Sequence, residues 1–250
     1  MKKYRSVILY LLIAFLLSFV SMTAQTAIPS ETVRFLLFGI QAASPTISAI
    51  TVLALNKELK AGFSAIFRTE HLFAAFLLPI VIAFGTMPAS KMIYCISNGQ
   101  AFSCGHISAK QLVIILWALV AEELGWRGFL EPKLRTHRLP DAAVPLIVGA
   151  VWGAWHFHYF IQKSIDVPIT LFFAGCIAES YIYSYMMRYT GNILSAMIYH
   201  FSCNLCLHLF MLNPADNNGS STPYIILTVL ESVTALLLTV RQPETKTKDA

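Results

Sequence analysis

The sequence predicts an all-α protein, a polytopic transmembrane bundle of about eight helices. Three observations carry that expectation. Of 250 residues, 56% are hydrophobic and 12% are charged, with mean hydropathy +0.63, whereas a soluble domain is about 25% charged. Half that charge does not coat a water-facing surface, which excludes a secreted or cytosolic globular enzyme and a disordered chain. Eight apolar stretches are of the length, roughly 17–25 residues, that crosses about 30 Å of hydrocarbon. The basic residues between them are distributed as the positive-inside rule describes.

In chain order the stretches run about 7–24, 33–56, 72–88, 111–131, 143–161, 167–187, 192–213 and 223–240. The first follows Lys2, Lys3 and Arg5, a pattern shared with signal peptides, but its apolar run is long and lacks a good cleavage site. It is read as a retained helix. The third is the shortest and carries Pro79, so a kink is expected there, with neighbouring helices re-satisfying the freed backbone groups. With the N-terminus inside, the inner segments hold 13 Lys and Arg (Lys2, Lys3, Arg5, Lys57, Lys60, Arg68, Lys133, Arg135, Arg138, Arg188, Arg241, Lys246 and Lys248). The outer ones hold four, Arg34, Lys91, Lys110 and Lys163, and Arg127 falls within a span. This asymmetry places both termini in the cytoplasm. It also accounts for the net charge of +5 without a nucleic-acid partner. Residues 1–250 read as a single membrane-embedded domain ending in a cytoplasmic polar tail, 241–250. Of the five cysteines, Cys95 and Cys104 share a polar loop, where a disulfide requires an oxidising side. Cys203 and Cys206 read as packing residues.

Ionisable residues inside spans are costly and face a bundle interior or a wet cavity, so each is a functional candidate. They are Glu122, Glu123, Arg127, His156, His158, Glu179, His200, His208 and Glu231, with Glu131 near an end and Asn204 as an uncharged companion. Glu123 and Arg127 are four apart, on one helical face and in the favourable acid-before-base order. Glu122 is rotated about 100° away and has no comparable partner on its helix. Glu123 with Arg127 therefore reads as structural and Glu122 as the reactive carboxylate. His200 and Asn204 form another same-face pair four residues apart. At 1.5 Å of rise per residue, Glu122, His156, His200 and Asn204 fall near ~14, ~20, ~12 and ~18 Å from the cytoplasmic side, one level within the error of the boundaries. Glu179 and Glu231 reach similar depths and read as protonated packing or lining residues.

A carboxylate beside a neutral imidazole can deprotonate a water, and a second imidazole with an amide N–H can donate to the oxyanion of a tetrahedral intermediate. The same Glu and His side chains are also the residue types that hold a Zn²⁺, which would acidify the water instead. Both routes lead to peptide hydrolysis within the bilayer, and both stay open. No serine nucleophile elbow and no intramembrane aspartate pair is present, which disfavours those mechanisms.

Glu-Glu-x-x-x-Arg at 122–127, aromatic-x-x-x-His at 152–156 and His-x-x-x-Asn at 200–204, in that order on three membrane helices, resemble the CAAX protease and bacteriocin-processing family (CPBP, also called Abi). This is the family of the type II CAAX prenyl endopeptidases, and the resemblance centres on about 111–213. It implies that Glu122 and His156 activate water, that His200 and Asn204 form an oxyanion hole, and that Glu123 and Arg127 support the site. Trp152 stands where the motif commonly has Phe, as a substrate-pocket wall with added bulk and an N–H. Relatives are described both as metallopeptidases, for which His156 and His200 with Glu122 would be the Zn²⁺ ligands, and as metal-free glutamate proteases. The expected protein is thus an intramembrane endopeptidase acting on a membrane-associated peptide or protein, in a cell membrane of bacterial type. Two competing expectations are a non-enzymatic immunity or scaffold protein of the same fold and a proton-coupled transporter using Glu179 and Glu231. No internal repeat supports the transporter.

Overall fold

The computed structural model describes residues 4–67 and 71–240, the Phe63 side chain apart. The expected tail 241–250 and the cations Lys2, Lys3 and Arg68 lie outside the described residues. Within them the chain is helical, and the one β feature is an isolated bridge between Phe67 and Asn192. The elements are α1 (Arg5–Ala27), α2 (Glu31–Ala42), α3 (Ser44–Leu55), α4 (Leu59–Ile66), α5 (Leu72–Ser97), α6 (Ala109–Gly125), a π-turn (Trp126–Leu130), α7 (Glu131–Arg135), α8 (Ala143–Trp155), α9 (Phe157–Ile161), α10 (Ile169–Thr190), α11 (Ile193–Leu209) and α12 (Thr222–Val240).

Each of the eight apolar stretches is helical, but not all are single straight rods. Five helical segments are long and apolar enough to span a membrane, and α2 with α3, bent by 60°, makes a sixth if counted as one. The other two stretches, 109–135 and α10, carry the acidic and basic side chains Glu122, Glu123, Arg127, Glu131, Glu179 and Arg188. Large apolar side chains on the outer faces stay exposed, including Leu12, Leu16, Phe73, Ile96 and Leu236. That pattern suits a hydrocarbon solvent, in which only the backbone and polar groups must be satisfied internally.

Two boundaries differ from the sequence expectation. The third stretch does not end at 88. α5 continues through Pro79 and Pro88 to Ser97 and is the longest helix described. Lys91, expected in an outer loop, therefore lies in α5 and is buried, with its ammonium donating to the Met211 carbonyl (3.2 Å) and Asn217 Oδ1 (2.8 Å). The physical reason is that these two acceptors replace water for the charge, so a lysine does not have to end the helix. The fifth stretch breaks at His156, which has φ −70° and ψ 0°.

Packing follows from the caps and small residues. Ser108 opens α6 with a capping box, its hydroxyl accepting from the Gln111 amide while Gln111 Oε1 accepts from the Ser108 amide. Gly191, at φ 62°, closes α10 in the left-handed region, and Asn192 caps α11 by accepting from the Leu194 amide. This two-residue turn folds α10 and α11 back on each other. Gly125 lets α6 meet the bend between α2 and α3: a Cβ there would lie 2.5 Å from the Pro45 carbonyl carbon. Thr46 Oγ1, donating to the Val120 carbonyl, and Trp155 Nε1, donating to Ser44 Oγ, fasten the same junction. The core is built where α6, α8, α10 and α11 converge, with Trp126, Trp155, Tyr183, Met186 and Tyr199 fully enclosed.

Candidate active site

Glu122 and Glu123 occupy the last turn of α6, and Arg127 lies in the π-turn that follows. π-turns inside helices occur frequently at functional sites. Glu123 and Arg127 are fully buried. Arg127 Nη1 donates to Glu123 Oε1 at 3.0 Å and to Oε2 at 3.2 Å. The same Glu123 Oε1 lies 2.6 Å from His200 Nδ1 on α11. An ionised carboxylate only accepts, so His200 carries a proton on Nδ1 and its Nε2 is directed away from Glu123. Glu123 is therefore shared between a guanidinium and an imidazole, and its expected role as the partner of Arg127 covers only half of what it holds.

Arg127 Nε and Nη2 are buried without hydrogen-bond partners among the described residues. The guanidinium instead lies over the ring of Tyr183 (3.7 Å to the centroid) and that of Trp152 (4.5 Å). Aromatic faces attract a desolvated cation by about 2 kcal/mol, which offsets part of the cost of the unmade bonds. Tyr183 was not singled out in the sequence. Its only signal there is the alternation Tyr181, Tyr183, Tyr185 in α10.

Glu122 is 4% exposed and makes no ion pair among the described residues. Its Oε2 accepts the indole N–H of Trp152 at 2.8 Å. Two adjacent carboxylates thus have opposite fates: one is neutralised by two basic groups, the other is held by a single neutral donor. His156, 8% exposed, follows the end of α8. Because the helix breaks there, its backbone N–H turns to Gly153 O, and the Trp152 carbonyl is taken by His156 Nδ1 at 2.8 Å. A carbonyl only accepts, so the proton sits on Nδ1 and neutral His156 keeps a lone pair on Nε2. Trp152 meets both imidazoles edge-on, with centroids 5.5 Å from His156 and 6.1 Å from His200. Asn204, one turn past His200, is partly buried and makes none of these hydrogen bonds.

The structure therefore gathers Glu122, Glu123, Arg127, Trp152, His156 and His200, from three segments, around one indole ring, with Asn204 on the same helix as His200. His158 is turned elsewhere. It is fully buried, and its Nδ1 lies 2.6 Å from Gln41 Nε2, within a network that also includes Gln25 and Gln162. Since Gln41 Nε2 only donates, His158 Nδ1 accepts, and the imidazole fastens α9 to α2. Glu231 is also buried away from these contacts, with Oε1 lacking a hydrogen-bond partner among the described residues. The five cysteines are free thiols, Cys95 buried and Cys104 exposed.

Among the described residues no three His, Cys, Asp or Glu side chains are grouped to ligate one ion. Glu122 Oε2 is engaged by the Trp152 indole, whose ring contacts both imidazoles. As arranged, these described side chains do not converge as a three-ligand set for one Zn²⁺.

Residues 105–206 match the Rce1-like family, the type II CAAX prenyl endopeptidases. That segment contains every site residue from Glu122 to Asn204. The CAAX prenyl protease 2 of Methanococcus maripaludis is similar, at 28% identity over 60% of this chain. The alignment covers 62% of that relative, less than two thirds of its length.

Proposed function

We propose that this member of the Rce1-like CPBP family is an intramembrane endopeptidase that cleaves a membrane-associated peptide or protein with a water activated by Glu122. The observation that carries the reading is the unequal treatment of the two adjacent glutamates. Glu123 is spent on Arg127 and His200, whereas Glu122 is held by one neutral donor at Oε2 and keeps its other oxygen to offer. A carboxylate of that kind, in a dry site, is suited to general-base work.

In the proposed reaction Glu122 takes a proton from water, and the water oxygen attacks the scissile carbonyl carbon. The neutral Nε2 of His156 is the second acceptor for that water. The carbonyl π electrons move onto oxygen, and the resulting oxyanion accepts hydrogen bonds from His200 Nε2–H and the Asn204 amide. His200 can donate through Nε2 while donating Nδ1–H to Glu123 only as an imidazolium, which is why a shared counter-ion matters. Pre-aimed donors of this kind contribute roughly 10²–10³ in kcat each. Collapse of the intermediate breaks the C–N bond, and the leaving amine takes the proton held by Glu122. The donor arrangement supports a metal-free route, and no step here requires an ion.

The substrate enters from the bilayer or its surface. Because a relative bears the name CAAX prenyl protease, C-terminal peptides with and without a prenylated cysteine belong in the assay. The protein purified into lipid vesicles is expected to cleave at least one membrane peptide, and Glu122→Gln to lower the rate by 10³-fold or more at unchanged folded yield. Wild-type rates in Glu122→Gln would overturn the reading.

A further inference from the structure

The geometry points to Trp152 as a positioning residue that sets both members of the water-activating pair, an inference that rests on the general-base reading of Glu122. One residue makes two bonds. Its indole N–H holds Glu122 Oε2 (2.8 Å), which fixes the carboxylate rotation and leaves Oε1 to meet water. Its main-chain carbonyl holds His156 Nδ1 (2.8 Å), which fixes the tautomer whose Nε2 can accept. The indole itself is immobilised: it is 6% exposed, lies under the Arg127 guanidinium and packs edge-on against Tyr183 at 5.9 Å. Glu122 and His156 belong to different helices, and Trp152 couples their relative placement.

A phenyl ring at this position would line the same wall but would leave Glu122 Oε2 without its donor. The side-chain and main-chain halves of the device are therefore separable. Trp152→Phe deletes the N–H bond and keeps the carbonyl bond to His156, because the backbone is unchanged. Misplacing a catalytic group by about 1 Å costs on the order of 10²-fold in rate.

The test compares kcat and KM for wild type, Trp152→Phe and Glu122→Gln in lipid vesicles, together with the indole N–H resonances of the ¹⁵N-labelled protein. Trp152→Phe is expected to lower kcat by roughly 10–100-fold with KM within twofold, where a mere pocket wall would change KM. Four tryptophans are present, and the indole resonance lost in Trp152→Phe should be the one displaced most by Glu122→Ala, because Trp117 and Trp155 donate to Gly39 O and Ser44 Oγ instead. Wild-type kcat in Trp152→Phe while Glu122→Gln is inactive would overturn the positioning role and leave the base intact. Full activity in Glu122→Gln would overturn both. Should Trp152→Phe fail to fold, benzothienylalanine at 152, which keeps the indole shape without the N–H, decides the matter on the same kcat criterion.

Discussion

Glu123→Gln separates the electrostatics of the site from its chemistry. In the wild type one buried carboxylate faces Arg127 Nη1 at 3.0 Å and His200 Nδ1 at 2.6 Å, and the side chains of Glu123 and Arg127 are wholly inaccessible. The amide keeps the shape and one acceptor but removes the negative charge, so the guanidinium is left buried without a counter-ion. Breaking one side of a buried pair costs about 3–5 kcal/mol, while replacing both partners by apolar groups of similar volume is often neutral. For a chain of this size, about 2–4 °C of Tm per kcal/mol converts the cost to a fall of roughly 6–20 °C. The double variant Glu123→Leu with Arg127→Met should regain most of that loss, short of the roughly 1–3 kcal/mol for the orphaned His200 N–H. It should nevertheless stay inactive, because no anion then supports the His200 imidazolium. The assay is thermal unfolding in one detergent, followed by size-exclusion, with peptide cleavage measured on the same samples. A Glu123→Gln protein within about 2 °C of wild type, or a double variant no more stable than the single one, would refute the shared counter-ion. A stable but inactive Glu123→Gln would move Glu123 into the catalytic set.

Three further outcomes are expected. Gly125→Ala places a methyl 2.5 Å from the Pro45 carbonyl carbon, against main chain rather than a yielding side chain, and should cost about 1–3 kcal/mol as overpacking, seen as a lower Tm in detergent; an unchanged Tm would mean that α3 and α6 slide apart freely. Gln41→Leu leaves His158 Nδ1 and Gln162 Oε1 without their buried donor, so about 1–3 kcal/mol of stability should be lost while kcat per folded molecule holds; a large fall in kcat would bring His158 into the mechanism. Lys91→Met removes the donor that ties α5 to Met211 O and Asn217. Limited proteolysis at 210–221 should then accelerate, and an unchanged cleavage pattern would count against that tether.

The membrane architecture was legible because the chain is apolar in stretches of spanning length, a property that needs no knowledge of neighbours. The Glu123–Arg127 pair was legible too, since a spacing of four puts both groups on one helical face. What stayed hidden is what only three-dimensional closure creates. His200 lies 77 residues from Glu123, and nothing in either segment says that an imidazole will share that carboxylate. Gln41 and His158 are 117 residues apart, so the sequence, which singled out His156 by its motif, did not say what the neighbouring His158 would bind. Lys91 was misplaced because charge alone marks a loop, and the acceptors that let a lysine stay in a buried helix come from the turn after α11. Pro79 is a similar case: proline removes a helix hydrogen bond locally, yet α5 continues through it and through Pro88 to Ser97.

The most direct test of the account is peptide cleavage by protein stripped with a strong chelator, assayed beside Glu122→Gln with metal content measured on the same preparations. Hydrolysis at the unstripped rate in metal-free wild type, and its absence in Glu122→Gln, is the expected result. Activity that disappears on chelation and returns with one equivalent of Zn²⁺ would contradict it.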